Sequence, residues 1–159
     1  MNIGYKNIGL ETALKKIKHY CAYQERSHKE VAQKLYSYGL SKIEQAQMLS
    51  NLIEENYLNE ERFAIAYAGG KFRINHWGKN KIKYELLQKQ VSAYCIKKAL
   101  AAINVTDYDT AGKKLIADKT LLLKNETNIF TKKTKLQNYM IGKGYEYELV
   151  VSWIKEILD

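Results

Sequence analysis

Ser27 to Leu52 reads SHKEVAQKLYSYGLSKIEQAQMLSNL, and the chain carries its pattern twice more. GKNKIKYELLQKQVSAYCIKKALAAI starts 51 residues later at Gly78. KKTKLQNYMIGKGYEYELVVSWIKEI starts 105 residues after Ser27, at Lys132. Apolar residues fall into five shared columns: Val31, Ile82 and Leu136; Leu35, Leu86 and Met140; Leu40, Val91 and Tyr145; Leu49, Leu100 and Ile154; Leu52, Ile103 and Ile157. Such self-similarity at a fixed period is the mark of a repeat architecture.

Each copy predicts a helix, a tight turn and a second helix. In the first, Val31, Leu35 and Tyr38 share one face at 3.6-residue spacing. Ser27 with Glu30, and Ser41 with Glu44, have the spacing of capping boxes. Gly39 is placed to end the first helix in the left-handed region. In the third copy Gly142 and Gly144 mark the turn.

A further helix is expected before each pair. Leu10 to Tyr23 is the first, with Leu14, Ile17 and Cys21 on one face. Asn59 to Arg73 is the second: Asn59 caps it, Glu60 and Glu61 occupy its first turn, and Phe63, Ala64 and Tyr67 share a face. Asp107 to Leu123 is the third, with Ala111, Leu115 and Leu122 spaced for burial. The expected fold is therefore all-α, an elongated array of three tandem three-helix repeats of helix-turn-helix type. Its divisions are an N-terminal extension (1–9), repeat 1 (10–55), a basic repeat 2 (56–105) and repeat 3 (106–159). Modules of this size are marginal alone and stack in series.

The composition agrees. The chain has 159 residues and no proline; average usage would give about eight. Proline breaks helix interiors, so its absence suits a helical chain, although an AT-rich genome would have the same effect. Cys21 and Cys95 stand far apart without metal-ligand spacing, and each reads as a small buried hydrophobe. Residues 1–10 hold no long apolar stretch of the signal-peptide kind. No run approaches the roughly 18 apolar residues of a membrane span. The expectation is a cytoplasmic monomer that does not engage a membrane.

The net charge of +9 is unevenly placed. Residues 1–61 hold eight basic and eight acidic side chains, and residues 107–159 hold nine and eight. Residues 62–106 hold nine basic residues, Arg62, Lys71, Arg73, Lys79, Lys81, Lys83, Lys89, Lys97 and Lys98, against the single acid Glu85. Such a stretch suits an anionic partner; a solvated surface is the plainer reading. On a helix starting near Trp77, Ile82 and Leu86 face the core. Lys79 and Lys83 sit at its rim. Trp77, Lys81, Tyr84 and Gln88 line another face, suited to phosphates and bases or to an acidic protein groove. Alternatively, Trp77 and Tyr84 pack against a neighbouring module while the lysines reach into water.

Catalytic patterns are missing from the sequence. It has no phosphate-binding Gly-rich loop and no HExxH. His19, His28 and His76 lack metal-ligand spacing, with His28 expected to be exposed in a polar first turn. No carboxylate pair is backed by a His or Lys as acid and base. The expectation is a non-enzymatic protein with no cofactor.

Asn56-Tyr57-Leu58-Asn59-Glu60-Glu61-Arg62-Phe63-Ala64, then Trp77-Gly78, then Ile82 and Glu85-Leu86, resemble the RecX family. That family shows a "GYL-acidic-x-RFA" segment, a basic stretch with Gly-Trp-Gly, and "RI..EL..KGV". Arg26-Ser27, Glu30-Val31, Lys34-Leu35 and Gly39-Leu40 resemble its "RS..EL..KL...G" pattern. The resemblance runs from about Leu10 to Leu158. Asn56 and Gln90 replace its glycines before Tyr57 and Val91, and Lys79-Asn80-Lys81 replace a segment usually rich in Pro and Arg. Lysine lacks the planar fork of arginine.

The resemblance implies a regulator of the RecA recombinase. It would bind the RecA–single-stranded DNA filament and suppress strand exchange, ATP hydrolysis and coprotease activity. Candidate contacts to filament or DNA are Arg62, Lys71, Arg73, Trp77, Lys79, Lys81, Lys83, Tyr84, Lys97 and Lys98. Residue types and spacing alone leave two other readings open: a direct DNA-binding protein of helix-turn-helix type, and a helical scaffold for another acidic protein. Against the first, the chain has only three arginines, Arg26, Arg62 and Arg73.

Overall fold

The computed structural model describes residues 4–159. Met1, Asn2 and Ile3, part of the expected N-terminal extension, lie outside the described residues. Among the described residues there are nine α-helices and no strand. They are α1 (Leu10–Tyr23), α2 (His28–Ser37), α3 (Lys42–Glu54), α4 (Glu60–Asn75), α5 (Lys79–Gln88), α6 (Ala93–Ala101), α7 (Val105–Leu122), α8 (Ile129–Gly142) and α9 (Tyr147–Leu158). None of them is long and apolar enough to cross a membrane.

Local chemistry sets the helix starts. Ser27 Oγ accepts from Glu30 N at 3.0 Å, and Glu30 Oε2 accepts from Ser27 N at 3.2 Å. Ser41 and Glu44 make the same reciprocal pair. Each box satisfies two backbone N–H groups that a helix start leaves without partners. The side chains of Asn59, Asn104 and Asn128 accept from the backbone of Arg62, Asp107 and Thr131, capping α4, α7 and α8.

Three of the five repeat columns are core throughout; in the other two, Leu49, Leu100 and Ile157 are only half-buried. Val31, Ile82 and Leu136, and Leu35, Leu86 and Met140, all have zero exposure. Leu40, Val91 and Tyr145 follow closely. Fully burying an aliphatic side chain of this size contributes about 1.5–3 kcal/mol, so these columns hold the repeat together. The turn between the paired helices is also a column. Gly39, Gln90 and Gly144 occupy the same place in the three copies, with φ of 76°, 61° and 98°.

The chain forms two compact units, Met1–Ala66 with Leu86–Lys98, and Tyr67–Glu85 with Ala99–Asp159. The division falls within α4, α5 and α6. In the first unit α1, α2 and α3 pack on one another around Ala13, Ile17, Val31, Leu35, Leu52 and Leu58. Cys21 joins this core, and Cys95 is also buried and free. Burial pushes both thiols up. His28 departs from the expectation of full exposure. It is half-buried, its Nε2 has no hydrogen-bond partner, and its Nδ1 lies 3.8 Å from Glu60.

In the second unit α7, α8 and α9 pack together. Here the expected face of α7 is corrected. Leu122 is 77% exposed, and the residues turned inward are Tyr108, Gly112 and Ile116. The physical cause is Gly112. A Cβ there would lie 2.2 Å from the Trp153 ring, so the missing side chain is the socket for that ring. Trp153 Nε1 donates to Asp109 Oδ1 at 2.7 Å, which holds the ring in place.

Candidate functional site around the basic segment

The basic segment is built on a fixed connection between α4 and α5. His76 N and Trp77 N donate back to Phe72 O and Lys71 O, ending α4, with His76 at φ 58°. Gly78 N then donates to Lys143 O at 2.8 Å, and Asn80 N to Gly144 O at 2.8 Å. Lys79 N donates to the Tyr108 hydroxyl at 2.9 Å. The first donors of α5 are thus taken by the α8–α9 turn and by α7. The approach is close: a Cβ on Gly78 would lie 2.3 Å from Gly144 C.

Aromatic packing stiffens this support. Tyr108 lies between Phe72 and Tyr145, with ring centroids at 5.7 and 5.2 Å, and Trp153 contacts both tyrosines. The Tyr108 hydroxyl donates to Glu146 Oε1. Burial, then that hydrogen bond, pushes the Tyr108 phenol far above its ordinary range, so it stays a donor. Tyr145 donates to His76 O at 3.1 Å, and burial raises its phenol too.

On this support Trp77 is half-buried, with Lys71 Nζ 5.0 Å and Lys81 Nζ 4.7 Å from its ring centre. Lys71 also lies 5.5 Å from the Tyr67 ring, and Lys79 Nζ lies 5.0 Å from that of Tyr108. Cation–π contact of this kind is worth about 0.5–1 kcal/mol at exposed sites. It aligns the lysine stems while leaving the ammonium charge uncompensated. Lys83, Arg73 and Tyr84 are exposed. Tyr84 is therefore not packed away, whereas Trp77 is partly held. Trp77 precedes α5 rather than lying on it, yet it meets Lys81 as the shared face expects.

The structure brings Lys71, Trp77 and Lys81 together in the second unit, where Arg73, Lys79, Lys83 and Tyr84 also belong. Arg62, Lys97 and Lys98 belong to the first. Arg62 differs in kind from the others. Its Nε donates to Glu25 Oε1 at 2.5 Å, and its terminal nitrogens donate to Asn56 Oδ1 and O, both at 3.1 Å. Among the described residues the other nine candidates form no ion pair. Lys98 lies over the exposed Tyr94 ring at 5.6 Å.

Glu60 explains the acidic front of α4. Its Oε1 accepts from Ser92 N at 3.0 Å, while Ser92 Oγ accepts from Cys95 N at 3.3 Å. Position three of α6 is Cys95 rather than Glu, so Glu60 supplies from 32 residues away the acid that Glu30 and Glu44 supply locally. Burial works to raise this carboxyl, but the Ser92 hydrogen bonds outweigh it and hold the group below its ordinary value. The sequence places Glu60 only in the first turn of its own helix. It gives no sign of the Tyr108 contacts either, because neither partner is near in the chain.

Residues 59–100 match the family described as RecX, second three-helix domain. Regulatory protein RecX of Clostridium perfringens strain 13 is 31% identical over 135 residues, covering 84% of this chain and 63% of that protein. Over most of its length the chain is similar to RecX proteins. Regulatory protein RecX of Streptococcus agalactiae is 26% identical, over 96% of this chain and 55% of its own length. The chain thus spans about 63% of the clostridial relatives and 55% of the streptococcal one. The crystal structure of RecX from Lactobacillus salivarius superposes with a TM-score of 0.83 at 22% identity, covering 92% of this chain and 95% of that one. A second RecX crystal structure gives 0.81 at 20% identity, with 92% and 71% covered. These structural likenesses establish the fold, tandem three-helix repeats.

The RecX-like pattern also bears on three backbone anomalies. Asn56, His76 and Gln90 have φ of 63°, 58° and 61°. Asn56 and Gln90 stand where the RecX-like pattern in the sequence has glycine, and all three positions hold a left-handed backbone that favours glycine, with side chains present.

Proposed function

We propose that this protein regulates the RecA recombinase by binding the RecA–single-stranded DNA filament, lowering its ATPase, strand-exchange and coprotease activities. Similarity to regulatory protein RecX supports this reading. The observation that carries it to particular residues is the set of lysines around Trp77, aligned on aromatic rings and without carboxylate partners. A dense row of uncompensated cations favours a polyanionic groove, whether acidic protein or phosphate. In this proposal repeat 2 (56–105) is the contacting module, flanked by 10–55 and 106–159. The protein acts in the cytoplasm as a monomer, without cofactor or catalytic step of its own.

The test is RecA ATP hydrolysis on single-stranded DNA, titrated with this protein. Hydrolysis is expected to fall well below one molecule per RecA protomer. Lys81→Glu with Lys83→Glu, checked for native helicity, is expected to raise the half-inhibitory concentration at least roughly tenfold, the equivalent of one charge-assisted hydrogen bond. Undiminished hydrolysis above equimolar protein overturns the proposal. Full inhibition by a folded double variant overturns its placement in repeat 2.

A further inference from the structure

A second concentration of cations lies in the first unit, where the charge of residues 1–61 sums to zero and conceals it. Lys15, Lys16, Tyr20 and Tyr23 of α1, Arg26 of the following connection and Lys34 of α2 line an open cavity of about 500 Å³. No carboxylate lines it. Among the described residues none of its four cations forms an ion pair. Of the eight acids in residues 1–61, five are held elsewhere: Glu25 by Arg62, Glu30 by Lys89 and Ser27, Glu44 by Ser41, Glu55 by Lys18 and Glu60 by Ser92.

The cavity is organised around one ring. The Arg26 guanidinium lies 3.7 Å from the centre of Tyr20, and its Nε donates to Tyr20 O at 3.0 Å. Lys34 Nζ lies 5.3 Å from the same ring. Arg26 is thereby oriented from behind, while its terminal nitrogens carry no hydrogen bond among the described residues. The buried Tyr38 also lines the cavity. Tyr23 is 76% exposed and offers an unused aromatic face.

Like charges gathered without a counter-charge repel one another, and a multiply charged anion relieves that repulsion. The volume is that of a small-molecule site, which runs from about 300 to 1,000 Å³. Cations beside an open aromatic face suit a phosphate joined to a planar base. We propose that this cavity binds the phosphates of a nucleotide, with the base against Tyr23. The ligand is a free nucleoside polyphosphate or one nucleotide of a single strand. The proposal does not rest on RecA as partner, and it concerns residues outside the basic segment.

Titration calorimetry at near-physiological salt tests it, using ATP, inorganic tripolyphosphate, adenosine and a short oligothymidylate. ATP and tripolyphosphate are expected to bind, and adenosine is not. Lys15→Glu with Lys34→Glu, both at exposed positions, should weaken ATP binding roughly a hundredfold, about tenfold for each charge-assisted hydrogen bond removed. Tyr23→Ala should weaken ATP and leave tripolyphosphate unchanged. Lys81→Glu should alter neither. If the oligothymidylate binds more tightly than ATP and the same double variant abolishes its binding, the natural source is a strand. If neither ATP nor the oligothymidylate binds at millimolar concentration, the proposal is overturned. Binding that survives the double variant in a helical, cooperatively unfolding protein also overturns it.

Discussion

The turns after α2 and α8 are glycine and the turn after α5 is glutamine, yet all three have positive φ. The difference lies in what approaches them. A Cβ on Gly144 would lie 2.3 Å from Lys81 Cβ and 2.6 Å from Lys81 N. On Gly39 it would lie 2.5 Å from the backbone of Lys6 and Asn7. Gly39 and Gly144 therefore meet two demands at once, positive φ and close backbone contact. Gln90, exposed, answers a positive φ at a modest cost in strain. Glycine in this column thus has two distinct physical causes, which substitution can separate.

The largest effect is expected at Gly144. Gly144→Ala adds backbone strain and collides with the start of α5, costing about 3 kcal/mol by urea unfolding. Gly39→Ala faces the same strain, but the Lys6–Asn7 backbone it meets lies outside any helix and yields more easily than the helical backbone of Lys81, so about 2 kcal/mol is expected. Equal losses at the two sites would show that φ alone sets the cost.

Next comes the cap that joins distant parts of the first unit. Glu60→Ala leaves Ser92 N without its carboxylate and is expected to cost about 1 kcal/mol at neutral pH. Because the folded state holds the Glu60 carboxyl below its ordinary value of 4.5, its contribution is complete above that pH and is lost as pH falls through the lower folded value. The gap between native protein and Glu60→Ala should therefore close on acidification, as read from unfolding free energies between neutral and acid pH. A gap constant with pH would assign the loss to packing rather than charge.

The smallest effect has the opposite sign. Gln90→Gly removes left-handed strain while adding freedom to the unfolded chain, and a net gain of about 0.5–1 kcal/mol is expected. Asn56→Gly should gain less. Asparagine tolerates this region better, and its Oδ1 accepts from Arg62. If Gln90→Gly destabilises the protein, the glutamine side chain makes a contact that outweighs its strain, and the comparison of turns fails.

Much of this fold is legible in the sequence. The three buried columns of Val31, Leu35 and Leu40 and their counterparts follow from apolar spacing, because helical burial repeats with the helix itself. The Ser27–Glu30 and Ser41–Glu44 boxes are legible too, since donor and acceptor are three residues apart. The candidate face is legible in part. Lys81 and Trp77 are near in sequence and do meet, while Arg62 looks like any other cation and is bound to Glu25.

Whatever is periodic or local was thus settled by residue order: nine helices among the described residues, the caps of α2, α3 and α4, and the repeat. Only the tertiary structure decided which face of α7 turns inward, because that depends on a Trp153 ring seated where Gly112 has no side chain. It also decided that Glu60 caps α6, that Tyr108 receives Lys79 N, and that Lys15, Arg26 and Lys34 share one cavity. Each of these pairings joins groups distant along the chain. Spacing along a helix says which residues share a face, but which distant group meets that face depends on how the helices pack.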